Sequence, residues 1–192
     1  MPPSSNTGEE SAPPQGALRW IETTGGPHIL TAEEGLADWK GCDNWDGNSE
    51  SDPSDYARAC RNSANWLGLI QPAKYDVAVF GGDVGPVAWL RTSDRSGMFV
   101  QWIGCDSDAA VLAMLALDDS GKIPRLQEET LLLETGPSGH MALLDASAHG
   151  LEVRPEEREG ISLQPGRYCL RAYYVETSAC MAVVRKLSRL DP

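Results

Sequence analysis

No stretch of this chain approaches the roughly 20 consecutive apolar residues that cross a bilayer. The apolar 41% of its 192 residues is spread along the chain, so a helical membrane span is not expected but a core is. Basic residues are scarce: 16 Lys and Arg stand against 28 Asp and Glu, a formal net charge of -12. Phosphate recognition needs clustered Lys and Arg, so nucleic acid is a poor partner. A basic protein partner, or solubility alone, fits better. There are 3 histidines, His28, His140 and His149, and none has a Cys or His at metal-ligand spacing. No CxxC pair occurs and the cysteine count, 5, is odd. Both facts argue against a disulfide framework or a zinc ribbon, and for buried thiols in a reducing compartment. The opening MPPSSNTGEESAPPQG lacks the basic and apolar regions of a signal peptide. Residues 1–16 read as a disordered leader, residues 17–192 as a single domain, and the cytoplasm as the expected location.

What is present predicts an α+β fold: largely antiparallel sheet, about three helices, and a C-terminal part that is mostly β. A strand at about 17–24 meets Gly25-Gly26-Pro27, which turns the chain. TAEEGLADWKG (31–41) reads as a short helix with Thr31 as N-cap, Glu34 completing a capping box and Gly41 as the stop. A second helix follows Asp55, the candidate cap, and presents Tyr56, Ala59, Cys60 and Ser63 on one face. Tyr75–Phe80, Val87–Arg91 and Gly97–Ile103 read as a three-strand meander, the third strand covered on both sides. Ser107 caps the best helix, with Val111, Leu112 and Leu115 as its stripe and Gly121 as its end. TLLLETG, MALLDAS, RYCLRAYYVET and CMAVVRKL then read as strands, with Pro165-Gly166 as a tight turn.

Catalytic chemistry is hard to assemble. Ser138 or Ser147 with a histidine and Asp145 makes a triad on paper, without a GxSxG elbow or an oxyanion signature. GGDVG (81–85) has neither the GxGxxG pattern nor the P-loop Lys, and it falls between strands, where a hairpin turn suits it better. Arg58 and Arg61 flank Cys60 and would lower its pKa, yet the small-residue helical setting favours a core thiol. The most informative segment is CDNWDGNSESDPSD, an exposed loop with no basic residue. Its Asp43, Asp46, Glu50, Asp52 and Asp55 surround Trp45, an aromatic ringed by carboxylates. Such a loop fits a contact for a basic protein; the other reading folds Trp45 back onto the body. No enzyme, cofactor or metal site is therefore expected. A rival reading keeps a small-ligand or enzymatic pocket near Gly25–His28 and Gly81–Pro86.

WIETTGGP, LADWKGC, DYARACR and LQPGRYCLRAYYVE occur in that order, and together they resemble the immunity protein 21 family of bacterial polymorphic toxin systems. The likeness runs from about Leu18 to Leu187. It departs at the segment after VAVFGGD, where an acidic residue is expected before the proline; here Val84 and Gly85 separate Asp83 from Pro86. The resemblance implies a protein that binds a cognate toxin domain in the producing cell and keeps it inactive, without turnover. Electrostatics adds that the toxin is basic, and that Asp43, Trp45, Asp46, Glu50, Asp52 and Asp55 meet it.

Overall fold

The strand Ser96–Cys105 buries both of its faces over Gly97–Gln101, so it must have a layer on either side. The computed structural model supplies both layers. It describes residues 18–190 apart from 44, 46, 48–50 and 72–73, so the expected leader lies outside the described residues. Six strands form one sheet: β1 (Trp20–Ile21), β5 (Val87–Arg91), β6 (Ser96–Cys105), β11 (Cys180–Arg189), β10 (Arg167–Glu176) and β7 (Leu126–Glu134), in that spatial order. Five form the other: β3 (Leu67–Ile70), β4 (Val77–Phe80), β2 (His28–Ala32), β8 (His140–Asp145) and β9 (Arg158–Ser162). Every ladder is antiparallel, as the α+β reading requires.

Period-two alternation then fixes three apolar layers. Leu30, Phe80, Leu143, Phe99, Tyr168 and Leu170 meet between the two sheets. Val100, Tyr173, Val175 and Val184 face outward from the six-stranded sheet and are covered by α2 (Asp108–Asp119) through Val111, Met114 and Leu115. Ser107 caps α2 by accepting from Ala110 N at 3.2 Å. Leu112, expected in the apolar stripe, is 37% exposed; Met114 takes the place beside Val111 and Leu115. On the far side, Ile29, Val77, Val79 and Leu144 are covered by Leu36, Trp39 and Ala59.

Several local expectations change. The first strand shrinks to two residues, and β2, β3 and β9 were not foreseen. Thr31 caps no helix: it lies in β2, opposite Val77 and Ala142, and its hydroxyl donates to Asp76 O. A β-branched residue in the middle of a sheet is well placed there. The segment Glu33–Asp38 is a 3-10 helix without a side-chain cap, and Glu34 instead accepts from Ser138 N. Helix α1 (Asp55–Arg61) is capped by Ser54, not Asp55. The meander also fails, because β4 belongs to one sheet and β5 to the other. Gly81–Pro86 is therefore a crossover between sheets, not a hairpin turn.

A buried arginine fixes that crossover. Arg185, with 0% exposure, lies 4.6 Å over the Phe80 ring and donates to Gly81 O (3.0 Å), Trp66 O (3.2 Å) and Gln101 Oε1 (2.8 Å). Gln101 in turn donates to Asp83 O at 2.7 Å. Burial lowers the Arg185 pKa to about 9. The cysteines differ from expectation too: Cys105 and Cys180, directly opposite on β6 and β11, are disulfide-bonded, while Cys42, Cys60 and Cys169 are free. Pairing by register across 75 residues leaves no spacing signal in the sequence.

Candidate partner-binding site

The acidic loop divides into a built base and an open top. Asp55 is buried; its carboxylate accepts from Lys40 N at 2.7 Å and pairs with Arg58. Asp52, 1% exposed, accepts from Ser54 N at 2.7 Å, and Arg61 donates to its carbonyl at 3.0 Å. These two acids therefore fold the loop and launch α1. Asp43 stands at the surface, 3.6 Å from His149 Nε2. Trp45 is half-buried and meets Tyr56 edge-on, ring centroids 5.2 Å apart, so its ring leans on the body while part of it stays open. Asp46 and Glu50 lie outside the described residues.

Beside this loop runs the 145–149 turn. Cys42 N donates to Ser147 O, and Gly41, at φ +56°, passes so close that a Cβ would fall 2.3 Å from the same oxygen. Only glycine combines that conformation with that approach. Asp145 then reaches the opposite way, accepting from Thr24 N (2.6 Å), Thr24 Oγ1 (2.8 Å) and Ser147 N (2.9 Å). Thr23 closes the glycine turn by accepting from Gly26 N and donating to Gly26 O. Gly25 takes φ +111°, and a Cβ on Gly26 would strike the Tyr56 ring at 2.6 Å. The paired glycines thus turn the chain and let Tyr56 pass.

These segments enclose a cavity of about 320 Å³ walled by Trp20 and rimmed by Glu22, Asp145, Glu156 and Glu157. Arg154 pairs with Glu156 and Glu157 at the rim. Trp20 is held from behind: its Nε1 donates to Asp108 at 2.9 Å, and its ring meets Trp102 edge-on. The cavity joins Glu22, near one end of the chain, to acids of the 145–157 stretch, and no local pattern in the sequence marks that union. The glycine segments of the rival reading do meet, Gly25–Pro27 against Gly81–Val84, but around a notch of only about 150 Å³. His28 does not line it.

The paper triad does not assemble. Asp145 is bonded to Thr24 and Ser147, and the Ser147 hydroxyl meets Thr24 Oγ1 at 3.0 Å. His140 Nδ1 meets Ser162 Oγ, and Ser138 Oγ accepts from the His140 backbone. His28 is fully buried with Nε2 on Ile21 O; burial lowers its pKa, and among the described residues its Nδ1 meets no hydrogen-bond partner. Burial raises the Cys60 thiol against the opposing pull of Arg61 and pushes Tyr56 up to about 12. Neither is an activated nucleophile at neutral pH. Among the described residues no group of three His, Cys, Asp or Glu could hold a metal ion, and no helix is long and apolar enough to cross a membrane.

The pattern of the family described as Immunity protein 21 matches residues 19–180. No curated protein matches the chain, and no solved structure does.

Proposed function

We propose that this chain, which belongs to the immunity protein 21 family, binds a cognate toxin domain and neutralises it by steric and electrostatic occlusion, without turnover. The observation that carries the reading is the acidic surface, where Glu22 and the Arg154-paired Glu156 and Glu157 line a cavity that reaches Ala148, next to the His149 that Asp43 faces. Acids that ring a hollow and a half-open aromatic suit a basic partner: charge steers the approach, and an aromatic anchors it. The contact loop is Asp43–Asp55, with Asp43, Trp45, Asp46 and Glu50 at the interface and Asp52 and Asp55 holding its base. The site lies in the cytoplasm of the producing cell.

A small-ligand or enzymatic role is the second reading, favoured by the meeting of Gly25–Pro27 with Gly81–Val84. At about 150 Å³ that notch is below the roughly 300–1,000 Å³ of ligand pockets. The deciding experiment is growth rescue. The toxin-like gene nearest this one is induced in a heterologous host with and without this protein, and the two proteins are co-purified. Rescue with a stable complex is expected; arrest despite soluble expression of both overturns the pairing.

A further inference from the structure

We infer that Cys105 and Cys180 form a redox-operated clasp that sets how firmly the Trp20 wall of the candidate site is held; its functional consequence rests on the toxin-binding reading, its chemistry does not. Cys105 ends β6 and Cys180 begins β11, and the ladder register shifts immediately beyond them, between Met181 and Ala182. The pair therefore ties down a short terminal piece of ladder that the bulge separates from the rest. The tie continues at Asp106 N, which donates to Ala179 O at 3.1 Å, and in the turn where Thr177 N donates to Cys180 O at 2.8 Å. One residue past Asp106, Ser107 caps α2, and Asp108 next accepts from Leu18 N (2.8 Å) and Trp20 Nε1 (2.9 Å). An unbroken run of four residues thus links the disulfide to the anchor of Trp20, which walls the 320 Å³ cavity.

Cys180 is 2% exposed but Cys105 is half-open, so a small thiol can reach the bond from one side. The reaction is thiol–disulfide exchange with a glutathione-type couple. The thiolate of a first glutathione attacks Cys105 Sγ, the S–S bond breaks, and Cys180 leaves as a thiolate that takes a proton. A second glutathione cleaves the mixed disulfide, releasing the Cys105 thiol and oxidised glutathione. Two electrons and two protons pass to the protein, and the reverse sequence restores the clasp. Closing a loop of 75 residues constrains the unfolded chain strongly, so the oxidised form should melt higher by on the order of 10 °C.

The test equilibrates the full chain with glutathione couples from reducing to oxidising, then measures alkylation by mass mapping, thermal unfolding and proteolysis around Leu18–Ile21. The expected result is a single bond mapped to Cys105 and Cys180, a melting temperature that follows it, and faster cleavage of the reduced form. The variant carrying Cys105→Ser and Cys180→Ser should melt like the reduced protein whatever the couple. Thiols that stay alkylatable at both positions in oxidised glutathione overturn the clasp, as do equal melting temperatures of the two forms. With the co-purifying toxin domain as probe, reduction should weaken binding roughly five-fold or more. Equal affinity in both states overturns the link to the site. Binding in neither state overturns the toxin reading instead, while the melting and mapping results still decide the clasp.

Discussion

The two outer faces of the sandwich are covered in different ways. On the six-stranded sheet a regular, capped helix lies down, and three apolar side chains, Val111, Met114 and Leu115, share its burial with Asp118. The charges there are neutralised locally. Asp118, with no exposed side chain, takes hydrogen bonds from Arg125 (2.7 Å) and Tyr173 (2.6 Å) and pairs with Lys186 at 3.0 Å. On the five-stranded sheet the cover is a 3-10 helix, a loop and two turns of α1, held by single residues. Trp39 is the largest of these, 1% exposed, with Nε1 donating to Ala146 O at 3.1 Å. Load spread over a helix tolerates loss at any one point; load carried by one tryptophan does not. The irregular side also carries the acidic loop, in keeping with recognition loops borne on a rigid scaffold.

The sharpest way to break this contrast is to remove the keystone. Trp39→Ala should cost about 3–5 kcal/mol, since it leaves a large cavity and an unpaired Ala146 carbonyl. Leu115→Ala, at one of the three apolar positions that share the burial of α2, should cost less, about 2–3 kcal/mol. Urea unfolding of both variants checks the pair, and comparable losses would remove the distinction between the two covers.

The next largest effect lies on the helical side. Burial works against charge on Asp118, but hydrogen bonds from Arg125, Tyr173 and Lys186 outweigh it and hold its carboxyl below the usual range. Asp118→Ala should therefore cost roughly 2–4 kcal/mol, with the buried Tyr173 hydroxyl left without its acceptor. Partner affinity should not change, because Asp118 stands at the far end of α2 from Asp108, the anchor of Trp20, and on the opposite outer face from the acidic loop. Denaturant unfolding and toxin titration on the same variant separate the two claims.

A smaller effect is set by pH. His28 is buried as the neutral ring, and burial lowers its pKa below 6.5. As pH falls below about 6.5, the unfolded chain takes up the proton first, so stability declines until the folded pKa is reached. Above that range this residue contributes no slope. The decline is at most about 1.4 kcal/mol per pH unit. His28→Gln should flatten the stability profile in the range just below pH 6.5; an unchanged profile would mean that another group titrates there.

Sequence reading captured what repeats and missed what is borrowed. α2 was legible because Ser107, its apolar positions and Gly121 all sit at helical spacing within one segment. The long strands β6, β10 and β11 were legible by alternation and β-branched content. Thr31 and Glu34 misled because the same pair that writes a capping box can be claimed by other segments, here Asp76 O and Ser138 N. The β4–β5 crossover was unreadable, since its anchor is Arg185, about a hundred residues away, whose neighbours Val183, Val184 and Leu187 look like ordinary core. At the candidate site, composition marked the 42–55 loop as acidic. It could not tell that Asp52 and Asp55 turn inward, because the sequence does not show whether a carboxylate faces water or a backbone N–H. The acid-rimmed cavity draws on Glu22, Asp145 and Glu156, which only the fold unites.

The smallest change in stability should come with the clearest change in function. Asp43 is exposed and, among the described residues, its carboxylate pairs with His149 at 3.6 Å. Reversing its charge should move stability by no more than about 0.5 kcal/mol. Trp45→Ala removes an edge-on contact with Tyr56, a loss of roughly 0.5–1.5 kcal/mol. In toxin binding the two should part company. Asp43→Lys should slow association and flatten the dependence of on-rate on salt, because long-range attraction is screened within about 10 Å at 0.1 M salt. Trp45→Ala should leave the on-rate nearly intact and speed dissociation, as the loss of an anchor does. Stopped-flow binding at two salt concentrations distinguishes them. If both variants associate and dissociate like the parent chain, the loop is scaffold, and the contact must be sought around Glu22 and Glu156.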